Sequence, residues 1–189
     1  MQRLAVSPSF FARMTPALGP WLARRWYYTP KTHRSYSVRQ ISPGDRRLLA
    51  EFALTLSQSA PQRDHDDMRE FERLLFDRVL GAMNDEAGFV ALENTAAGDR
   101  VIGLSAYAPT ARGTADFRVA VANSFRDEQV GRNLLATLLR HAKRVGVSRL
   151  ESEMSWSNRA MQMLAMSVGF AVEPVQRDRT RRRLVLQIK

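Results

Sequence analysis

The sequence predicts one mixed α/β domain, residues 35–189, behind a basic N-terminal arm, residues 1–34. Three observations lead there. A chain of 189 residues, 44% apolar and 25% charged, can bury one proper core and has an ordinary globular composition. From residue 35 onward, segments with apolar residues at alternate positions trade places with segments apolar at helical spacing. In the middle, three alternating segments follow each other across glycine-containing turns, the pattern of a meander.

The elements follow in chain order. "SYSVRQI" (35–41) alternates like a strand, and "SPGD" is a turn in which Asp45 suits a helix cap. Leu48, Leu49, Phe52 and Leu56 space like one helical face. A second helix is expected after Asp64–Asp67, with Met68, Phe71, Leu74, Leu75 and Val79 inward. "GFVALE" (88–93), "RVIGLSAYAP" (100–109) and "ADFRVAVA" (115–122) are the meander strands. A helix reaching Val145 turns Leu134, Leu135, Leu138, Leu139 and Ala142 inward. "SRLESEM" (148–154) is a strand, and Asn158 to Val168 is a short helix that Gly169 is suited to end. "FAVEP" and "RRLVLQIK" close the chain as strands.

Residues 1–34 are rich in Arg, Ser, Pro and aromatics, and prolines 8, 16, 20 and 30 argue against one continuous helix. The readings open for it are a loosely ordered arm, an arm packed on the domain, a surface-binding segment and an acid-free targeting peptide. It lacks the long apolar core of a secretory signal.

Composition removes several classes of function. No run approaches the roughly 18–20 apolar residues of a membrane span. The absence of cysteine rules out disulfides, thiolate metal sites and a cysteine nucleophile, and a cytoplasmic location is expected. His33, His65 and His141 are scattered, so no metal is expected. The net charge of +10 sits at the two ends: residues 1–44 hold seven Lys/Arg and no acid, and residues 176–189 hold six basic residues and one acid. The near-neutral middle weighs against a specific nucleic-acid partner. The ends, with "RDRTRRR" (177–183) the densest stretch, are suited to contact acidic surfaces, nucleic acid or anionic lipid. A solvated basic edge strand explains that stretch as well.

The chemistry concentrates at "FRDEQVGRNLL" (125–135), between a strand and an amphipathic helix. A strand, a tight loop and a helix start present free backbone N–H groups and the positive end of the helix dipole, which together bind a phosphate. Gly131 allows close backbone approach, and Arg126 or Arg132 can add a charge-assisted contact. A plain strand-to-helix turn accounts for the same pattern. In the preceding strand, Phe117, Val119 and Val121 share one face, and Asp116, Arg118 and Ala120 the other. A carboxylate on a strand that feeds such a loop is a candidate general base. Further on, "NRAMQMLAMSVGF" (158–170) carries a helical face of Met161, Leu164, Ala165 and Val168, headed by Asn158.

In this order the pieces resemble the GNAT acyltransferase superfamily, and within it the acetyltransferase domain of bacterial Pat-type protein lysine acetyltransferases. That family's central stretch reads approximately AEFAVVVRDDWQGRGLG, and this chain has "ADFRVAVANSFRDEQVG" (115–131). Its later stretch reads approximately ENRAMLRLARKLGF, beside "SNRAMQMLAMSVGF" (157–170) here. "YSVRQISPGDRRLLAEFALTLS" (36–57) is similar to the family's first strand and helix, and the resemblance covers about residues 36–175.

The resemblance implies a GNAT acyl-CoA N-acyltransferase fold, a mixed central sheet of about six to seven strands splayed in the middle and flanked by about four helices. It implies acetyl-CoA as co-substrate, lying in the splay, and no metal. The pantetheine would follow Phe117, Val119 and Val121, and the pyrophosphate would sit on the backbone from Arg126 through Gln129, Val130 and Gly131 to Arg132. Asn158 would reach toward CoA. Asp116 would take the amine's proton, where the family has Glu. Many members carry a Tyr in the late helix. Here the position is Ala165, and the Pat-like group also lacks that Tyr.

Three departures bear on activity. Gln129 stands where the loop pattern has its first glycine. If that position needs positive φ, a non-glycine residue costs on the order of 1 kcal/mol. Asp127 and Glu128 bring negative charge close to a phosphate. Asp116 is one methylene shorter than Glu, and Arg118, two residues on, can pair with it and weaken it as a base.

The leading expectation is direct acetyl transfer to an amine, a protein lysine. A small-amine acetyltransferase is the alternative, as is a catalytically weak CoA-binding or interaction module. "DHDD" (64–67) would attract a cationic acceptor or simply cap its helix. A nucleic-acid or membrane-surface role for the basic ends is a fourth reading.

Overall fold

The computed structural model describes residues 25–29, 34–59, 88–126, 129–176 and 178–189. The elements are β1 (Arg25–Thr29), β2 (Arg34–Gln40), α1 (Arg46–Ser59), β3 (Gly88–Thr95), β4 (Gly98–Ala111), β5 (Thr114–Val121), α2 (Val130–Arg144), β6 (Arg149–Ser155), α3 (Arg159–Ser167), β7 (Ala171–Val175) and β8 (Asp178–Gln187). The helix expected after Asp64–Asp67, Asp127 and Glu128, and residues 1–24 of the arm lie outside the described residues.

The strands form one mixed sheet in the order β1-β2-β3-β4-β5-β6-β8-β7. β3, β4 and β5 are the expected meander, each antiparallel to the next. β5 and β6 pair in parallel, which requires a crossover, and α2 supplies it. The seven strands read from the sequence are present, and β1 adds an eighth inside the stretch 1–34. It pairs antiparallel with β2, and Tyr27 stacks on Tyr36 with ring centroids 5.4 Å apart. "RWYYT" has no apolar alternation, and only its aromatic β-propensity marks it as a strand.

α1 starts from an anchored turn. The Asp45 carboxylate accepts from Ser42 N–H (2.7 Å), Ser42 Oγ–H (3.0 Å) and both terminal nitrogens of Arg39 (2.6 Å each). Asp45 is buried. Burial alone would raise its pKa, but the bonds from Arg39 and Ser42 outweigh burial and hold it below the usual carboxylate range.

α2 packs its apolar stripe on the sheet, with Leu134, Leu135, Leu138 and Ala142 fully buried. Gly103 on β4 permits this approach. A Cβ there would come within 2.8 Å of Leu134 Cδ1 and 3.2 Å of the Ala120 carbonyl oxygen. Ser105 Oγ–H reaches the Leu134 carbonyl (3.3 Å), and Asn133 Nδ2 donates to Tyr36 Oη (2.6 Å), tying the helix to β4 and β2.

Candidate active site

The sheet comes apart between its two central strands. Parallel pairing of β5 with β6 is confined to Thr114↔Arg149, Ala115↔Leu150 and Asp116↔Glu151. Beyond Asp116, β5 stays paired with β4 as far as Val121, and beyond Glu151, β6 stays paired with β8. The backbones of Phe117–Val121 and Ser152–Ser155 are therefore not paired with each other. A ligand with amide groups along its length can use such an edge as an added strand would.

At the open end of the splay, β5 leads through a short turn, Asn123–Phe125, to α2. Phe125 is buried and anchors the turn. The first intrahelical bond of α2 runs from Asn133 N–H to the Gln129 carbonyl (2.9 Å). The N–H groups of Val130, Gly131 and Arg132 thus have no intrahelical acceptor, and they stand at the positive end of the helix dipole. Gln129 is the N-cap and lies in the left-handed region, φ 60°, ψ 3°. That is the conformation a glycine would favour. Arg126 and Arg132 are exposed beside this turn. This donor set suits a phosphate-bearing ligand without any metal, and among the described residues no His/Asp/Glu cluster is arranged to hold one.

Asp116 is the last residue of β5 in register with β6. Its carboxylate is held by Arg118, Nη1 to Oδ1 at 2.6 Å, with side chains 21% and 13% exposed, so this is not an open surface pair. Arg118 Nη1 also lies 3.0 Å from the Phe117 carbonyl oxygen and 2.6 Å from Ser152 Oγ on β6.

α3 flanks the open end from β6. The Asn158 side-chain oxygen accepts from Met161 N–H (3.1 Å), the N-cap bond. Two arginines, Arg159 and Arg182, each lie 4.0 Å from the centroid of the Trp156 ring. α3 meets α2 where Gly131 leaves room: a Cβ there would come within 3.0 Å of Leu164 Cδ2 and 3.4 Å of Val121 Cγ2.

Residues 48–170 match the model of the acetyltransferase (GNAT) family. The chain belongs to the GNAT acetyltransferase family. The match covers most of α1, the meander, the splay, α2 and all of α3 with its flanking Phe170. Solved structures share the fold. The GNAT domain of S. lividans PAT is 16% identical over 92% of this chain and 99% of its own, with a TM-score of 0.63. The PaiA N-acetyltransferase of Thermoplasma acidophilum, in complex with coenzyme A, is 16% identical over 80% of this chain and 98% of its own, with a TM-score of 0.59. The yncA protein of Salmonella typhimurium, described with its cofactor acetyl-CoA, is 21% identical over 82% of this chain and 94% of its own, with a TM-score of 0.55. No curated protein matches the sequence significantly.

On this GNAT scaffold the residues singled out from the sequence fall into four groups. Asp116 stands where the central strands part. Arg126, Gln129, Gly131 and Arg132 share the turn and first helical residues, with Val130 among them as a fully buried side chain. Phe117 is also fully buried, packed 4.7 Å from the Phe170 ring, so only its backbone is available to a ligand. Val119 and Val121 are half-buried. Asn158 has its side-chain oxygen committed to capping α3. Sequence reasoning missed Ser152. It sits among Leu150 and Met154 on the buried positions of "RLESEMS", and a hydroxyl on that apolar row was the available signal.

Proposed function

We propose that the chain transfers an acetyl group from acetyl-CoA to an amine, and that the amine belongs to a protein lysine. The observation that carries this reading is the abrupt end of β5–β6 pairing at Asp116, directly ahead of the free N–H groups of α2. Bound acetyl-CoA would supply an acetyl thioester: the amine nitrogen attacks its carbonyl carbon, the C–S bond breaks, and CoA leaves as a thiolate that takes a proton from solvent water. Asp116, directly or through a water, accepts the proton the amine loses. The first turn of α2, with Arg126 and Arg132, would hold the pyrophosphate, and the β5 edge from Phe117 to Val121 the pantetheine. The lysine reading draws on the Pat-type motif resemblance and on a fold match to PAT that takes in most of the chain.

A second reading, a CoA-binding module with little turnover, is motivated by the 2.6 Å bond from Arg118 to Asp116 and by Gln129 in a glycine conformation. Calorimetric titration with acetyl-CoA and with desulfo-CoA, followed by thiol release with lysine peptides and with small amines, separates the readings. The expected result is micromolar binding, turnover on peptides, and a fall of about 100-fold or more in kcat for Asp116→Ala with acetyl-CoA affinity undiminished. Binding without turnover on any amine would favour the module. No binding up to millimolar ligand would end both.

A further inference from the structure

The contacts of Arg118 go beyond the Asp116 carboxylate. Three acceptors converge on Nη1: Asp116 Oδ1, the Phe117 carbonyl oxygen and Ser152 Oγ. The first two belong to β5 and the third to β6, and the three lie just where parallel pairing stops. Nη1 has two N–H groups, which these acceptors share. Ser152 is itself buried, so its hydroxyl is committed to the interior of the seam.

We propose that Arg118 and Ser152 form a latch across the splay, which a CoA-type ligand must open as it seats, and whose opening releases the Asp116 carboxylate. The inference rests on the CoA-binding reading above. An amide-bearing ligand lying along β5 would take its bonds from the backbone beyond Asp116. Phe117 supplies the first carbonyl there, and the Arg118 guanidinium already occupies it. The ligand's amide N–H therefore competes with Arg118 for one oxygen, and its bulk competes with the Arg118–Ser152 bond for the space between the strands. When the guanidinium withdraws, Asp116 loses a cationic donor and its Oδ1 becomes available to a proton on the acceptor amine. Arg118 and Ser152 are thus positioning residues: they couple occupation of the splay to readiness of the base, and place the cofactor before the acceptor.

The test compares wild type, Ser152→Ala and Arg118→Ala in calorimetric titration with CoA itself, so that no turnover is involved. Ser152→Ala removes only the bond across the splay and leaves the Asp116–Arg118 pair in place, which guards against a folding defect. The expected result is tighter CoA binding in both variants, about threefold for Ser152→Ala and about tenfold for Arg118→Ala, since each lost bond is one the ligand no longer has to break. In wild type, the Arg118 guanidinium NMR signal should change from a hydrogen-bonded to a freely rotating form on CoA addition. CoA binding in wild type with no gain in either variant overturns the latch and leaves the CoA reading standing. A gain in Arg118→Ala alone also overturns it, because the bond across the splay would then be irrelevant. No CoA binding by any of the three overturns the latch and the CoA reading together.

Discussion

Gln129 is the one non-glycine residue with positive φ among the described residues. A residue with a Cβ pays on the order of 1 kcal/mol to sit there, whereas glycine does not. The side chain is exposed, so nothing it packs against offsets that cost. Gln129→Gly is therefore expected to raise stability by up to about 1 kcal/mol, reduced by the greater freedom glycine gives the unfolded chain. Chemical denaturation measures this directly. A loss of more than about 0.5 kcal/mol would mean that the conformation costs glutamine nothing. The same change should tighten CoA binding, because it relieves the turn that presents the α2 N–H groups. Gly131, two residues on, is small for a different reason: Leu164 and Val121 close in on it, so its requirement is packing between α2, α3 and β5.

α2 carries its own pH dependence. His141 is buried in the helix's apolar face, with Nδ1 2.9 Å from Tyr107 Oη and its ring edge-on to Phe89. Nε2 is buried with no hydrogen-bond partner. Burial first, and the nearby Arg144 charge second, push the imidazole down to about 4. The folded state thus resists protonation that the unfolded chain accepts near 6.5. Stability is complete above 6.5 and falls as pH drops toward 4, by on the order of 3 kcal/mol at the lower end. Urea midpoints measured between pH 7 and pH 4 should show this slope. His141→Phe should flatten it, even if that variant is less stable at pH 7 for want of the Tyr107 bond. An unchanged slope in His141→Phe would assign the pH dependence to other groups. Asp45 contributes only lower down. Its stabilisation is present above the unfolded carboxylate value and is lost as pH falls through its depressed folded one.

At the scale of the whole molecule, the sheet is two blocks joined by a short seam. β6 pairs with β8 over seven residue positions and β4 with β5 over eight, but β5 pairs with β6 over three. Few backbone bonds hold the seam, and local opening should concentrate there. Native-state hydrogen exchange is expected to show β6, β8 and β7 exchanging as a unit at lower free energy than β2 to β5. Added CoA should reduce the difference. Uniform protection across β5 and β6 in the free protein would contradict this division.

The seven strands from "SYSVRQI" to "RRLVLQIK", the stripe of α2 and the Asn158-to-Gly169 helix were all legible in the amino-acid sequence, because strand alternation and helical spacing are local signals. The Asp116-to-Gly131 order and the "SNRAM…VGF" stretch were legible too, through their resemblance to GNAT motifs. β1 was not, because its edge pairing rests on Tyr27 meeting Tyr36, a contact no periodicity announces. Nor was Ser152, whose hydroxyl gains its meaning only from a guanidinium 34 residues away in the chain. Local pattern was enough for seven of the strands, for α1, α2 and α3, and for their order, and the motifs were enough for the family. Where β5 and β6 part, and that Arg118 bridges the gap, emerge only in the folded sheet, because register and side-chain reach between strands depend on long-range packing, which local pattern does not encode.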